Sequence, residues 1–229
     1  MNNNKYILIS SKGITFLDNT LISSSNDMTF ADELYSGFED AYSTTAVQFS
    51  EEEGNLIFVI LKDIFYVFSP NETLLTQTNF NDNDDYYTMP FYIYPYKKID
   101  NTYILLCVDV DDIAQGFIYL NFHKISYDYN TKDISYSERI KYTMLEFDSS
   151  LNLQKYESAS CALLKNGDSH YINCFYSVYG MYKLVNFDPE NNFEANVIVS
   201  NNEQKENDCI SFKSLTLPGN DKVIHCLLY

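Results

Sequence analysis

Few side chains in this chain are both reactive and suitably spaced. In "DVDD", Asp109, Asp111 and Asp112 supply carboxyl groups at short intervals. Glycoside hydrolysis needs two carboxyl groups flanking one bond, one as acid and one as base or nucleophile. In "NDNDD", Asp82, Asp84 and Asp85 offer the oxygen-rich loop that calcium takes. Tyr87, however, stands where an EF-hand needs glycine, and the distal glutamate is missing. Both clusters read first as solvated charged turns or strand ends. His123, His170 and His225 are scattered without metal-ligand spacing, and no C-x-x-C pair occurs. His225 and Cys226 are adjacent, so a strand would point them to opposite faces. A thiol nucleophile would have to be Cys107 with a distant histidine. There is no glycine-rich phosphate loop. Tryptophan is absent and Arg139 is the single arginine, so a sugar-stacking platform and a carboxylate clamp are both poorly supplied. No metal and no cofactor are expected.

The five cysteines carry more information. In "SCALLKNGDSHYINCFY", Gly167 and Asp168 read as the centre of a two-residue hairpin turn closed by Asn166 and Ser169. Counting outward along an antiparallel pair, Cys161 meets Cys174 directly. They meet at a non-hydrogen-bonded position, where Cα atoms approach to about 4.5 Å. A disulfide fits there. Cys209 and Cys226 flank a second turn, "PGND", whose centre lies too late to oppose them without a bulge. Cys107 is left as the free thiol. Asn71-Glu72-Thr73 is a glycosylation sequon in an expected turn. Two disulfides and a glycan would belong to an oxidising compartment; five reduced, buried thiols are the alternative.

The elements that position these residues recur. Copies begin at Lys5 ("KYILISSKGITFLDNTLI"), Asn55 ("NLIFVILKDIFYVFSPNETLL"), Thr102 ("TYILLCVDVDDIAQGFIYLNF"), His170 ("HYINCFYSVYGMYKLVNFD") and Lys222 ("KVIHCLLY"). Each copy long enough to show it has an apolar strand, a polar break and a second apolar strand. In this pattern the chain resembles β-propeller repeat proteins over nearly all its length. The resemblance implies an all-β stack of antiparallel blades; a β-sandwich is the rival fold. No Trp-Asp dipeptide, kelch glycine doublet or Asp-box ties it to a named propeller family. Residues 1–229 are expected to form one such domain, or part of a larger one, since the last copy ends inside a strand. Residues 21–45 read as a helical or loop insertion, because Phe30, Leu34, Phe38 and Tyr42 share a helix face after Thr29, with Gly37 weakening it. "NFNDNDDYYTMPFYIYPY" reads as a loop entering an edge strand interrupted by proline. Beyond it, Gly116–Tyr127 and Ile134–Phe147 read as strands around the turn "DYNTKD".

Composition limits the partners. The 229 residues carry a formal net charge of −17 and no basic stripe. A phosphate backbone or an anionic membrane surface would be repelled, so nucleic acid is not an expected partner. No apolar run is long enough to span a bilayer, and "MNNNKYILISSKG" is too short in apolar residues for a signal peptide. The 21 tyrosines favour strands and wet interfaces; Tyr92, Tyr94 and Tyr96 are the expected interaction residues. The leading expectation is therefore a non-catalytic binding or adhesion module of a secreted or cell-surface protein, with a protein partner. An intracellular propeller scaffold with reduced cysteines, located in the cytoplasm, is the alternative. A propeller glycosidase using Asp109, Asp111 or Asp112 is the third.

Overall fold

The computed structural model describes residues 5–10, 13–18, 44–50, 53–61, 64–79, 90–111, 117–146, 160–167, 169–178, 181–201, 211–216 and 222–228. Its described elements are all β-strands, and every described pairing is antiparallel. The chain divides into two compact units, Met1–Met89 and Pro90–Tyr229. The helix expected around Phe30–Tyr42, the acidic stretch at Asp82–Asp85 and Cys209 lie outside the described residues.

In the first unit, β1 (Lys5–Ser10) and β2 (Gly13–Asp18) form a hairpin. A four-stranded sheet follows in chain order: β3 (Thr44–Gln48), β4 (Ile57–Leu61), β5 (Ile64–Phe68) and β6 (Leu74–Asn79). "IFVIL" and "IFYVF" are runs of β-branched and aromatic residues, the composition of strands buried on both faces. Ile57–Ile60 and Phe65–Phe68 are buried without alternation. The outer strand β6, "LLTQTN", is instead partly exposed. Between β5 and β6 a tight turn is closed by the Ser69 amide donating to the Thr73 carbonyl at 2.8 Å. Asn71 is exposed at its tip.

Among the described residues the second unit holds three sheets. One contains β7 (Pro90–Ile99), β8 (Thr102–Asp111), β9 (Phe117–Asp128) and β10 (Ile134–Tyr136), in the order β10-β9-β8-β7. β11 (Ile140–Glu146) also pairs with β9. A second contains β12 (Ser160–Asn166), β13 (Ser169–Val178), β14 (Met181–Asp188) and β15 (Glu194–Asn201), in chain order. The third is the hairpin of β16 (Ser211–Thr216) and β17 (Val223–Leu228). Leu106, Phe122 and Met144 from the first sheet share a core with Ile172, Val185 and Phe187 from the second. The Phe122 and Phe187 ring centroids are 4.2 Å apart.

The repeated segments have a common place in these sheets. The copies from Asn55, Thr102 and His170 supply β4–β5, β8–β9 and β13–β14, the two middle strands of each larger sheet. The runs of β4, β5 and β8 are apolar and buried almost without alternation, as strands covered on both faces are, whereas β14 mixes buried and half-buried positions. β7 is an edge strand, and its register breaks between Pro90 and Tyr92 and again between Pro95 and Lys97. Proline lacks the ladder donor, so edges and bulges are where it fits. The single strand expected over Ile134–Phe147 is corrected. It divides at Ser137–Arg139, where three residues lie opposite His123 and Lys124, two residues of β9. The Ser137 amide and hydroxyl hold the break, each bonded to Lys124 backbone at 2.9 and 2.8 Å.

Candidate functional site

Asp109, expected in an exposed charged turn or strand end, lies inside strand β8 with 0% of its surface exposed. That expectation is corrected, and the reason is register. The β8–β9 ladder places Asp109 opposite Asn121 and Cys107 opposite His123. Directly opposed residues share a face, and so do residues two apart. All four therefore converge on one buried face. Asn121 donates from Nδ2 to Asp109 Oδ1 at 2.8 Å. His123 Nδ1 lies 3.8 Å from Asp109 Oδ2, and Arg139 Nη2 lies 4.0 Å from the same oxygen. Arg139 comes from the break between β10 and β11. An extra residue there re-aims the side chain across β9, as bulges do.

Cysteine, histidine and a carboxylate are the residue types of a thiol nucleophile with its base and orienting acid. The environment sets them against that chemistry. Burial pushes the Cys107 thiol well up, and nearby Asp109 adds to the effect. Burial, with Arg139 beside it, pulls the His123 imidazole down to about 3. A reactive cysteine needs the opposite pair of shifts, toward thiolate and imidazolium. At neutral pH the imidazole is uncharged, so its 3.8 Å approach to Asp109 is a polar contact rather than an ion pair. The charge facing Asp109 is the guanidinium. Asp109 is thus a sealed carboxylate held by an amide and an arginine. As a glycosidase carboxylate it would have no open approach. Of its two expected companions, the Asp111 side chain and all of Asp112 lie outside the described residues.

The hairpin of β12 and β13 pairs Cys161 with Cys174 in an unbroken register from Ser160↔Phe175 to Asn166↔Ser169. The two cysteines form a disulfide, with Cα atoms 4.1 Å apart. Gly167 has φ +62°, as the first central position of a primed hairpin turn requires. Cys107 is a free, buried thiol. In β16–β17 the register is also unbroken and sets Lys213 opposite Cys226. That is the pairing a turn at "PGND" dictates, and it does not bring Cys226 opposite Cys209. His170 packs its ring edge-on to Tyr96 at 5.4 Å.

Of the expected interaction residues, Tyr96 is buried and Tyr92 and Tyr94 are half-buried. All three pack on the core shared by the two larger sheets of the second unit. Burial raises the Tyr94 phenol well above its ordinary value. Tyr96 donates its hydroxyl to Glu190, and Lys97 Nζ reaches the same carboxylate at 3.1 Å. Along β7–β8, Tyr92 and Tyr94 lie opposite Val108 and Leu106 of that core, while Ile93 opposes Cys107 on the other face.

Open surface chemistry lies instead on the sheet β12–β15. A cleft of about 500 Å³ is lined by Leu164, Asn166, Tyr171, Asn186, Asp188, Glu194 and Asn196, with Ala195. Register aligns its residues. Asn186 and Asn196 stand opposite each other on β14 and β15, and buried Asn173 on β13 continues their row beyond the lining. Leu164 faces Tyr171, and Asp188 faces Glu194. Asp188 accepts the Glu190 amide at 2.9 Å and Asn191 Nδ2 at 2.7 Å, which fixes the turn from β14 to β15. Among the described residues no lysine, arginine or histidine lines the cleft. Sequence reading missed this row of asparagines; their signal was one asparagine on each of three strands at matching distances from the turns. Among the described residues no group of three or more His, Cys, Asp or Glu could hold a metal. No helix among them is long and apolar enough to cross a membrane. No protein-family model, no curated protein and no solved structure matches the chain.

Proposed function

We propose that this chain is a non-catalytic, propeller-like binding module of a secreted or cell-surface protein, and that its partner is another protein. The observation that carries the reading is the open, polar cleft on β12–β15, whose described lining holds carboxylates and amides and no cation. Asp109, His123 and Cys107 are sealed inside instead, with His123 neutral and Cys107 protonated. A surface that presents amide and carboxylate groups from rigid strands is suited to recognition. The net charge of −17 favours a partner with basic residues.

Two further observations support the setting. Disulfides persist in oxidising compartments, and Cys161 is joined to Cys174. Asn71 is exposed at a tight turn, where a glycan could be added. For the architecture, the support is a recurrent antiparallel sheet in which β4–β5 and β8–β9 are largely buried on both faces while β6, β10 and β15 are more exposed. A sheet covered on both faces needs neighbours on both sides, as stacked blades provide.

A photo-crosslinking residue at exposed Asn196, in the protein expressed in its native source, tests the function. Adducts with extracellular or surface proteins are expected. Adducts confined to intracellular proteins, or none at Asn196, would remove the reading.

A further inference from the structure

β15 ends its sheet, and its one strand partner among the described residues is β14. Its sequence "EANVIVSN" has no charge after Glu194 and no proline. Val197, Ile198 and Val199 are 44%, 48% and 44% exposed. An edge strand carries a row of backbone donors and acceptors able to take another strand. Proteins commonly guard such edges with lysine, proline or charges pointing inward; none lies within Ala195–Asn201. The one guard is a bulge. Val185 pairs with Val197 and Leu184 with Val199, which leaves Ile198 as the extra residue. Glu194–Val197 therefore stays in continuous register, with Ile198 and Val199 exposed just beyond it.

Resting on the reading of this chain as a protein-binding module, we propose that β15 is the docking edge. It takes an extended segment of a partner protein by antiparallel strand addition, pairing first along Glu194–Val197. The chemistry of that segment follows from the edge. Its middle is apolar and β-branched, to cover Val197–Val199. The sheet is antiparallel throughout, so the C-terminal end of the added segment lies over Glu194. Asp188 stands directly opposite Glu194, with no cation among the described residues of the cleft they line. Like charges so placed oppose each other, and lysine or arginine at the C-terminal end of the segment relieves them. Asn201, at the other end of β15, offers no such charge. Orientation is therefore selected as well as composition.

The probe is an acetylated peptide of alternating threonine and valine that ends in two lysines; its control carries the lysines at the N-terminal end. Hydrogen exchange of the whole chain is followed with each. The expected result is slowed exchange at the amides of Ala195–Val199 and at least tenfold tighter binding of the first peptide. Val197→Lys, which places a guard on the edge, should weaken it at least tenfold while the exchange of β12–β13 is unchanged. Glu194→Gln should erase the preference between the two peptides. No protection of β15 by either peptide overturns strand addition. Protection that grows with protein concentration alone also overturns it, since a second copy of the chain would then occupy the edge. Asn196 crosslinks that survive in Val197→Lys leave the binding function standing and remove only this mode.

Discussion

Arg139, the single arginine of the chain, reaches to 4.0 Å from the fully buried carboxylate of Asp109. The two residues come from β8 and from the break beyond β9, so the contact crosses a whole strand. Its origin is the one-residue mismatch between β10 and β11 along β9. A buried carboxylate costs several kcal/mol unless its charge is answered. Here the answer is a guanidinium, still 40% exposed, together with the Asn121 amide. Loss of the guanidinium by Arg139→Met should destabilise the fold by about 1–3 kcal/mol, since the partly solvated arginine contributes less than in a fully buried pair. Urea unfolding measures this. An unchanged midpoint would show that the carboxylate is satisfied without the guanidinium.

The same cluster makes stability depend on pH. His123 is held down to about 3, chiefly by burial, against an ordinary value of 6.5. The unfolded chain therefore binds a proton below 6.5 that the folded chain refuses until near 3. The stability owed to the neutral imidazole is complete above 6.5 and is lost as pH falls toward 3. The exposed Glu190 carboxylate, lowered first by the Tyr96 hydroxyl, adds a loss only below its ordinary 4.5. Among the described groups with a resolved shift, the slope between 4.5 and 6.5 belongs to His123. Unfolding free energy should fall by on the order of 1–3 kcal/mol across that window. His123→Gln should flatten it; a slope unchanged in that variant would assign the loss elsewhere.

The Cys161–Cys174 hairpin was legible before any coordinates, because a two-residue turn and two cysteines over-determine one register. The inward-facing cluster was not. "CVDVD" and "LNFHK" each show the alternation, but nothing in either says that Asp109 meets Asn121 until the β8–β9 register is known. Asp109 reads as solvated because carboxylates rarely sit inside strands. Its burial depends on an arginine thirty residues away, delivered by a bulge that has no local sequence mark. Tyr92, Tyr94 and Tyr96 show the same limit: spacing put them on one face but could not say which face the core would claim.

Closing the disulfide restricts the unfolded chain across a sequence separation of 13. For a loop of that size the contribution is roughly 2–4 kcal/mol. Cys161→Ser together with Cys174→Ser should lower stability by that amount, as should reduction of the unaltered chain. Alkylation in denaturant before reduction should label Cys107 and leave Cys161 and Cys174 unlabelled. Label on both hairpin cysteines in protein from its native source would place the chain in a reducing compartment and remove the secreted setting.

Between Ser69 and Thr73 the chain turns tightly and lifts Asn71 into solvent. The next residue, Glu72, sits at φ +65°. That geometry keeps the sequon at the tip, clear of the ladder between β5 and β6. Expressed through a secretory pathway, the chain should gain one glycan at this position, read as a mass shift removed by endoglycosidase and absent in Asn71→Gln. An unmodified Asn71 in such an expression would argue against the extracellular setting.

Phe122 on β9 and Phe187 on β14 close the core between the two larger sheets of the second unit, and Phe193 stacks on Phe122 at 5.2 Å. Phe122 and Phe187 are both buried at 0%. Truncating either to alanine removes apolar surface and leaves a cavity that strands on both sides resist filling. The expected cost is about 3–5 kcal/mol for each. Because the rings touch, the losses should not add: the double variant should cost less than the sum by about 0.5–1.5 kcal/mol. Thermal or urea unfolding of the four proteins closes that cycle. Simple additivity would mean that the two sheets fold without bearing on each other through this pair.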